Sequence, residues 1–327
     1  MRKIVKVIPL VVVTNFILTN VYSVITIDRT YMISPLKTPI GEKEFNFLTF
    51  TAATAEFGKY LPEPFTDFNH FWIAKASVFG ELFRYKNLFS IVLFSDIELI
   101  ASSNNIIYFD PRSFYWQEGI LFSYKYGTFN FQGSFTHRCK HDIDNADLVT
   151  LYDEVRARVI IWDSVWLRFF PDPLEIYNLN NFMVVEAIPF IRNDFYVMSV
   201  DETVWYKTYP YTSFKSDSEY KVNKIVDSFS IGMIVDVELF KNFGFYAKGY
   251  WWFDLLGDNE IWKWSKIENI VTEHYAEIAL YLKDKGGKIF IFLQNNLVRD
   301  PAIEPFDQGS LNVFHFGIRA ISEMFSL

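Results

Sequence analysis

The fold class this sequence predicts is all-β: a closed antiparallel transmembrane β-barrel of about 12 strands (12–14). Three observations predict it. Apolar and polar residues alternate over many segments, the two-residue period of a strand with one face in lipid and the other in water. These segments are joined alternately by short turns and longer polar stretches, as periplasmic turns and extracellular loops are in such barrels. The chain is also 19% aromatic, with 35 Phe, 19 Tyr and 9 Trp among 327 residues. A soluble domain has too little interior for that many rings, whereas lipid-facing strands and interfacial girdles use them.

The elements follow in order. Arg2, Lys3 and Lys6 precede the mostly apolar run Val7 to Leu18, and Val21-Tyr22-Ser23 offers a small-residue cleavage site, so residues 1–23 read as a secretory signal peptide. An uncleaved N-terminal helix is the other reading, since Thr14, Asn15 and Asn20 interrupt the run. Residues 24–43, with Pro35, Pro39 and Gly41, read as a periplasmic lead, and 44–327 as the barrel. No later stretch is apolar for the roughly 18 residues that a transmembrane helix needs. The expected location is the bacterial cell outer membrane.

Within the barrel, Ile225 to Leu239 alternates most cleanly. Phe229, Ile231, Met233, Val235, Val237 and Leu239 share one face; Ser228, Ser230, Gly232, Asp236 and Glu238 share the other. After a turn at Lys241-Asn242, Phe243, Phe245, Ala247, Gly249, Trp251 and Phe253 continue the apolar face. Similar runs span 70–83, 87–102, 112–125, 129–141, 148–162, 165–170, 181–191, 195–208, 272–284, 287–298 and 312–323, with a weaker one at 44–57. Short turns are expected at Lys86-Asn87, Tyr126-Gly127, Asp163-Ser164, Asn193-Asp194 and Gly286-Gly287. Longer connections are expected near 103–111, 140–147, 172–180, 209–224, 256–271 and 299–311. A soluble β-sandwich or propeller is the rival fold, but it has no need for long loops on one side or rings on the outside.

Charge narrows the partners. Without residues 1–23 the chain carries 28 basic against 39 acidic residues, a net charge of −11, which argues against nucleic acid. Membrane lipids are the expected partners, together with the outer-membrane assembly machinery, and a homodimer is an option. The single cysteine cannot form an internal disulfide. Inward residues of both signs, among them Asp96, Glu98, Glu154, Arg156, Arg158, Asp236, Glu238 and Lys248, suit either a polar network filling a narrow lumen or a small pore. Phosphate-binding glycine loops, Cys pairs, His-Glu-x-x-His and Gly-x-Ser-x-Gly are absent from the sequence.

One place breaks the lipid-facing pattern. Along 129–141, Phe129, Phe131 and Phe135 share a face, and the same face then receives His137, Cys139 and His141. Asp153 is an acid in the outward row of the next strand, and Glu118 is one in the outward row of the preceding strand. A nucleophile, a base and a group orienting the base are what acyl transfer requires. Cys139, His137 and Asp153 can fill those roles, since residues i and i+2 of a strand face the same way. Glu118 is a possible support for His137, or else the mark of a slipped register.

The segment Phe109 to Pro171 resembles outer-membrane phospholipase A. The resemblance rests on His137-x-Cys139 at a strand end, a polar loop, Asp153 on the next strand, then Trp166 and Arg168-Phe169-Phe170-Pro171. It implies a 12-stranded barrel that hydrolyses phospholipid esters at its outer rim, with calcium as a cofactor. The sequence departs from the family's pattern in having Cys139 for serine, Asp153 for asparagine and His141 for glycine. The resemblance thus implies a lipid acyl hydrolase or a degenerate relative, beside the alternative of a non-enzymatic pore or structural envelope barrel. Asp142, Asp144 and Asp147 place oxygen ligands in the loop after Cys139, a set suited to Ca2+; a solvated loop is the plainer account of them.

Overall fold

A computed structural model describes residues 44–47, 51–61, 71–102, 110–142, 154–179, 182–207, 214–215, 224–240, 242–257, 267–284, 287–298 and 311–323. The expected signal peptide and the whole of the lead lie outside these residues. The described chain is all strand and turn. Its elements are β1 (Phe45–Asn46), β2 (Thr51–Tyr60), β3 (Trp72–Tyr85), β4 (Phe89–Ser102), β5 (Asp110–Tyr126), β6 (Phe129–Asp142), β7 (Glu154–Pro171), β8 (Leu174–Leu179), β9 (Met183–Lys207), β10 (Phe214–Lys215), β11 (Lys224–Leu239), β12 (Phe243–Gly257), β13 (Ile267–Asp284), β14 (Gly287–Val298) and β15 (Leu311–Glu323).

Twelve of these close a ring. Sequential strands pair antiparallel from β2 through β7, then β9 and β11 through β15, and β15 returns to β2. β1, β8 and β10 are short pieces paired at the margins of β3 and β9. Hydrocarbon offers no partner to a backbone amide, so a sheet can span it only by closing on itself. The closure, an apolar exterior and a polar interior make this an outer-membrane β-barrel.

Side-chain parity decides which residue meets which solvent. Val78, Leu93, Ile97, Ile120, Phe122, Leu167, Ile231, Ile278, Ile291 and Ile318 are exposed along the outside. Near the short turns the exterior is ringed: Phe129 stacks on Phe169 at 5.2 Å and Phe182 meets Phe240 edge-on at 4.4 Å. At the other end Phe57 stacks on Trp72 at 5.1 Å, with the Lys59 ammonium 4.2 Å from the centre of the Phe71 ring. Rings with cations at both margins of an apolar band are the interfacial girdles of a membrane barrel.

The inside is packed. Arg192 holds Asp194 through two hydrogen bonds and lies between Trp166 and Trp252, 4.1 and 5.4 Å from their ring centres. Arg319 binds both Glu56 and Glu277, and Lys75 binds Glu98 at 3.1 Å. A bulge between Glu81 and Phe83 in β3 shifts the parity, so that Glu81 and Arg84 both point inward and pair at 2.8 Å. Trp252, Arg84, Tyr281, Glu273 and Glu277 are essentially inaccessible. Among the described residues, then, inward side chains of both signs form a polar network.

Two expected turns are corrected. Asp163-Ser164 lies inside β7 and Asn193-Asp194 inside β9, so four predicted segments become two strands and the count falls to twelve. The stretch 172–180, expected as a long loop, is mostly the short strand β8. Each polar pair that looked like a turn splits across the sheet instead. Asp194 points inward to Arg192, while Asn193 points outward and donates to Asp227 at 2.5 Å. Asp163 points outward and Ser164, which is buried, points inward.

The packed interior predicts the cost of a single side chain. A Cβ at Gly232 would lie 2.5 Å from both Phe190 Cζ and Tyr250 Cβ, whereas one at outward-facing Gly249 meets only a carbonyl 3.7 Å away. Gly232→Val is expected to destabilise the refolded barrel by about 1–3 kcal/mol, and Gly249→Ala by less than about 0.5 kcal/mol. Urea unfolding in detergent micelles, followed by heat-modifiable migration, checks both.

Candidate functional site

On the lipid-facing side of β4 to β7 one cross-strand row is polar. Ser95 pairs with Glu118, Glu118 with His137, and His137 with Asp163. Val78 bounds the row on β3 and Met198 on β9. Directly opposed residues have Cβ atoms about 4.5–5.5 Å apart, so the four side chains form a continuous stripe. Glu118 therefore stands opposite His137, and its place in the outward row is real rather than a slipped register.

The centre of the stripe is a hydrogen bond. Nδ1 of His137 donates to Oδ1 of Asp163 at 2.6 Å, the side chains being 33% and 22% exposed. An ionised carboxylate only accepts, so against it Nδ1 is the donor, and in a neutral imidazole Nε2 then carries the lone pair. His137 lies eight residues above Phe129, at the short-turn end of β6. With about 3.3 Å per residue and a tilt of about 40°, that is about 20 Å up an apolar band about 25 Å tall. The stripe sits toward the outer margin, where charge costs little compared with the bilayer centre.

Cys139 shares the outward row two residues beyond His137, but only 4% of its surface is accessible. It stands opposite Trp116 on β5 and Ile161 on β7, and it has no hydrogen bond to His137 among the described residues. The structure thus brings together His137, Glu118 and Asp163, with Cys139 adjacent and covered.

Asp153 lies outside the described residues. β7 begins at Glu154, nine residues or about 30 Å along the strand from the residue that meets His137. The partner acid is Asp163, hidden in sequence because Asp-Ser is a turn-prone pair. Its signal was parity: Asp163 falls in the row of Val165, Leu167 and Phe169, where an acid is as anomalous as Glu118. Ser95 escaped for want of a register. Asp142 closes β6, with its side chain outside the described set, as are Asp144 and Asp147. Among the described residues no group of three His, Cys, Asp or Glu side chains, the stripe included, is placed to hold a metal ion.

Among the described residues, Asn193–Asp227 and His274–Asn295 are also outward polar pairs, the latter joined Nε2 to Oδ1 at 3.1 Å. Neither pair places a second carboxylate against its base. The stripe at His137 differs in flanking one imidazole with two acids.

No family model matches the chain, and no curated protein does. Solved structures do resemble it. The CymD monoaromatic hydrocarbon channel is 7% identical with a TM-score of 0.43, covering 85% of this chain and 89% of that one. LpxR from Salmonella typhimurium is 6% identical with a TM-score of 0.42, covering 84% and 100%. Outer membrane phospholipase A from Escherichia coli is 10% identical with a TM-score of 0.36, covering 85% and 93%. All three likenesses are too distant to inform the site.

Burial of Cys139 under the outward row predicts slow labelling. In the folded barrel Cys139 is expected to react with a maleimide on the order of tenfold more slowly than in denaturant, and Trp116→Ala to restore most of the difference. Equal rates in the folded and unfolded states would contradict this burial.

Proposed function

We propose that the barrel is a lipid-directed acyl hydrolase working from its outer wall, with His137 as base and Asp163 as the group that orients it. The observation that carries this reading is the 2.6 Å His137–Asp163 hydrogen bond in an acid-flanked row facing lipid. Polar groups on such a face need a purpose, and a pre-oriented imidazole beside membrane esters supplies one. The His137-x-Cys139 pair also resembles phospholipase A barrels, although the acid matched in that resemblance is Asp153 and the one that meets His137 is Asp163.

In this reading Nε2 of His137 removes the Cys139 proton as sulfur attacks the ester carbonyl. The tetrahedral intermediate collapses to a thioester, and the lysolipid alcohol leaves with the proton from His137. A water molecule, deprotonated by His137, then attacks the thioester, releasing the fatty acid and restoring the thiol. Burial requires the Trp116 or Ile161 side chain to move before attack, and Glu118 stabilises the imidazolium formed in each step.

A second reading has one observation of its own. Cys139 is covered and not hydrogen-bonded to His137, as expected of a degenerate relative kept as an envelope barrel. A pore is disfavoured by the packed interior.

Ester hydrolysis by the purified barrel in mixed micelles decides between them. His137→Ala is expected to lower kcat by about 10²–10⁴, with Asp163→Asn and Cys139→Ala each well below wild type. Activity that survives Cys139→Ala removes the thiol from the mechanism, and no hydrolysis by wild type, with or without calcium, favours the degenerate barrel. Planar bilayers are expected to show no steady conductance for the wild type, and conductance to appear in Arg192→Ala/Trp252→Ala as the central layer is emptied.

A further inference from the structure

Below the polar stripe the outward row of β6 lacks a side chain. Gly133 lies between Phe131 and Phe135, opposite Phe122 on β5 and Leu167 on β7. The gap opens a cavity of about 450 Å³ in the barrel's outer wall, lined by Phe122, Phe131, Leu167, Phe169 and Ile191 around Gly133. These rings and branched chains would otherwise close over the wall. Leu167, across from the glycine, is 58% exposed.

We infer that this groove holds one acyl chain of the lipid whose ester is presented to His137, an inference that rests on the hydrolase reading. The groove lies below the site on the same face of one strand: Gly133 is four residues from His137, with the exposed Phe135 between them. That separation is about 13 Å. A hydrocarbon zigzag of C–C bonds near 1.5 Å advances about 1.3 Å per carbon, so about ten carbons span it. A membrane acyl chain reaches the groove; a short-chain ester does not. The occupant is a phospholipid chain because the lining is apolar, the wall faces hydrocarbon, and the headgroup end of such a chain meets the polar stripe at the outer margin.

The same contacts set the variants. A Cβ at Gly133 would stand 3.2 Å from Leu167 Cδ2, a flexible side-chain end, so Gly133→Ala is the mild change and Gly133→Phe fills the groove. Leu167→Phe narrows it from the opposite strand and serves where Gly133→Phe does not fold, as judged by heat-modifiable migration. Hydrolysis of a short-chain and a long-chain ester is compared for each barrel. Gly133→Phe or Leu167→Phe is expected to lower kcat/KM for the long chain by roughly tenfold or more while leaving the short chain unchanged. Equal loss on both esters, or on neither, overturns the groove while leaving the hydrolase standing.

Phospholipid retained through delipidating detergent is measured in parallel, without turnover. A wild type that hydrolyses neither ester but keeps lipid that Gly133→Phe loses overturns the hydrolase and supports the groove. Equal retention by the two barrels overturns the groove.

Discussion

Closure is the constraint on which everything else depends. In hydrocarbon each unpaired amide or carbonyl costs several kcal/mol, so the twelve-membered ring has to be complete before any part of it is stable in place. Once the ring closes, parity assigns every side chain to lipid or to the interior, and single displaced residues acquire consequences. The bulge after Glu81 turns a pair three apart in sequence, Glu81 and Arg84, into neighbours inside the barrel. No bulge interrupts β6 or its pairing with β7 between Phe129 and His141, which is why His137 and Cys139 stay outside.

The interior shows what a narrow ring does with buried polar side chains. Arginines are matched to carboxylates or amides and laid against rings: Arg192 between Trp166 and Trp252, Arg168 on Gln132 with Trp166 and Phe170 near its guanidinium. Buried ion pairs seldom add much net stability, but removing one partner is costly because the other charge is stranded. The network therefore specifies one packing of the core more than it strengthens it.

Much of this was legible in the alternation. The rows Phe229 to Leu239 and Phe243 to Phe253 needed only a period of two, and His137, Cys139 and Glu118 stood out as exceptions to it. Asp163 and Asn193 were misread for a definite reason. Asp-Ser and Asn-Asp favour turns locally, and the groups that hold these residues in extended strands lie on other strands, 26 residues away for Asp163 and 34 for Asn193. Pairing the acid of the next strand with His137 required the register, which is set by where the preceding strand ends. Among the described residues β7 rises beyond the last paired residue of β6, His141, with β9 beside it, so counting forward from the loop does not reach Asp163.

Arg319 gives the seam a particular character. It comes from the last strand, yet it joins Glu56 of the first ring strand to Glu277 of the thirteenth element, while Ser322 accepts a hydrogen bond from Ala53 a few residues on. Until β15 arrives, the two carboxylates have Lys75 and Lys248 across from them but lack the guanidinium that bridges them. A ring without β15 is therefore both open and unbolted, so closing the sheet and bridging its seam become one event.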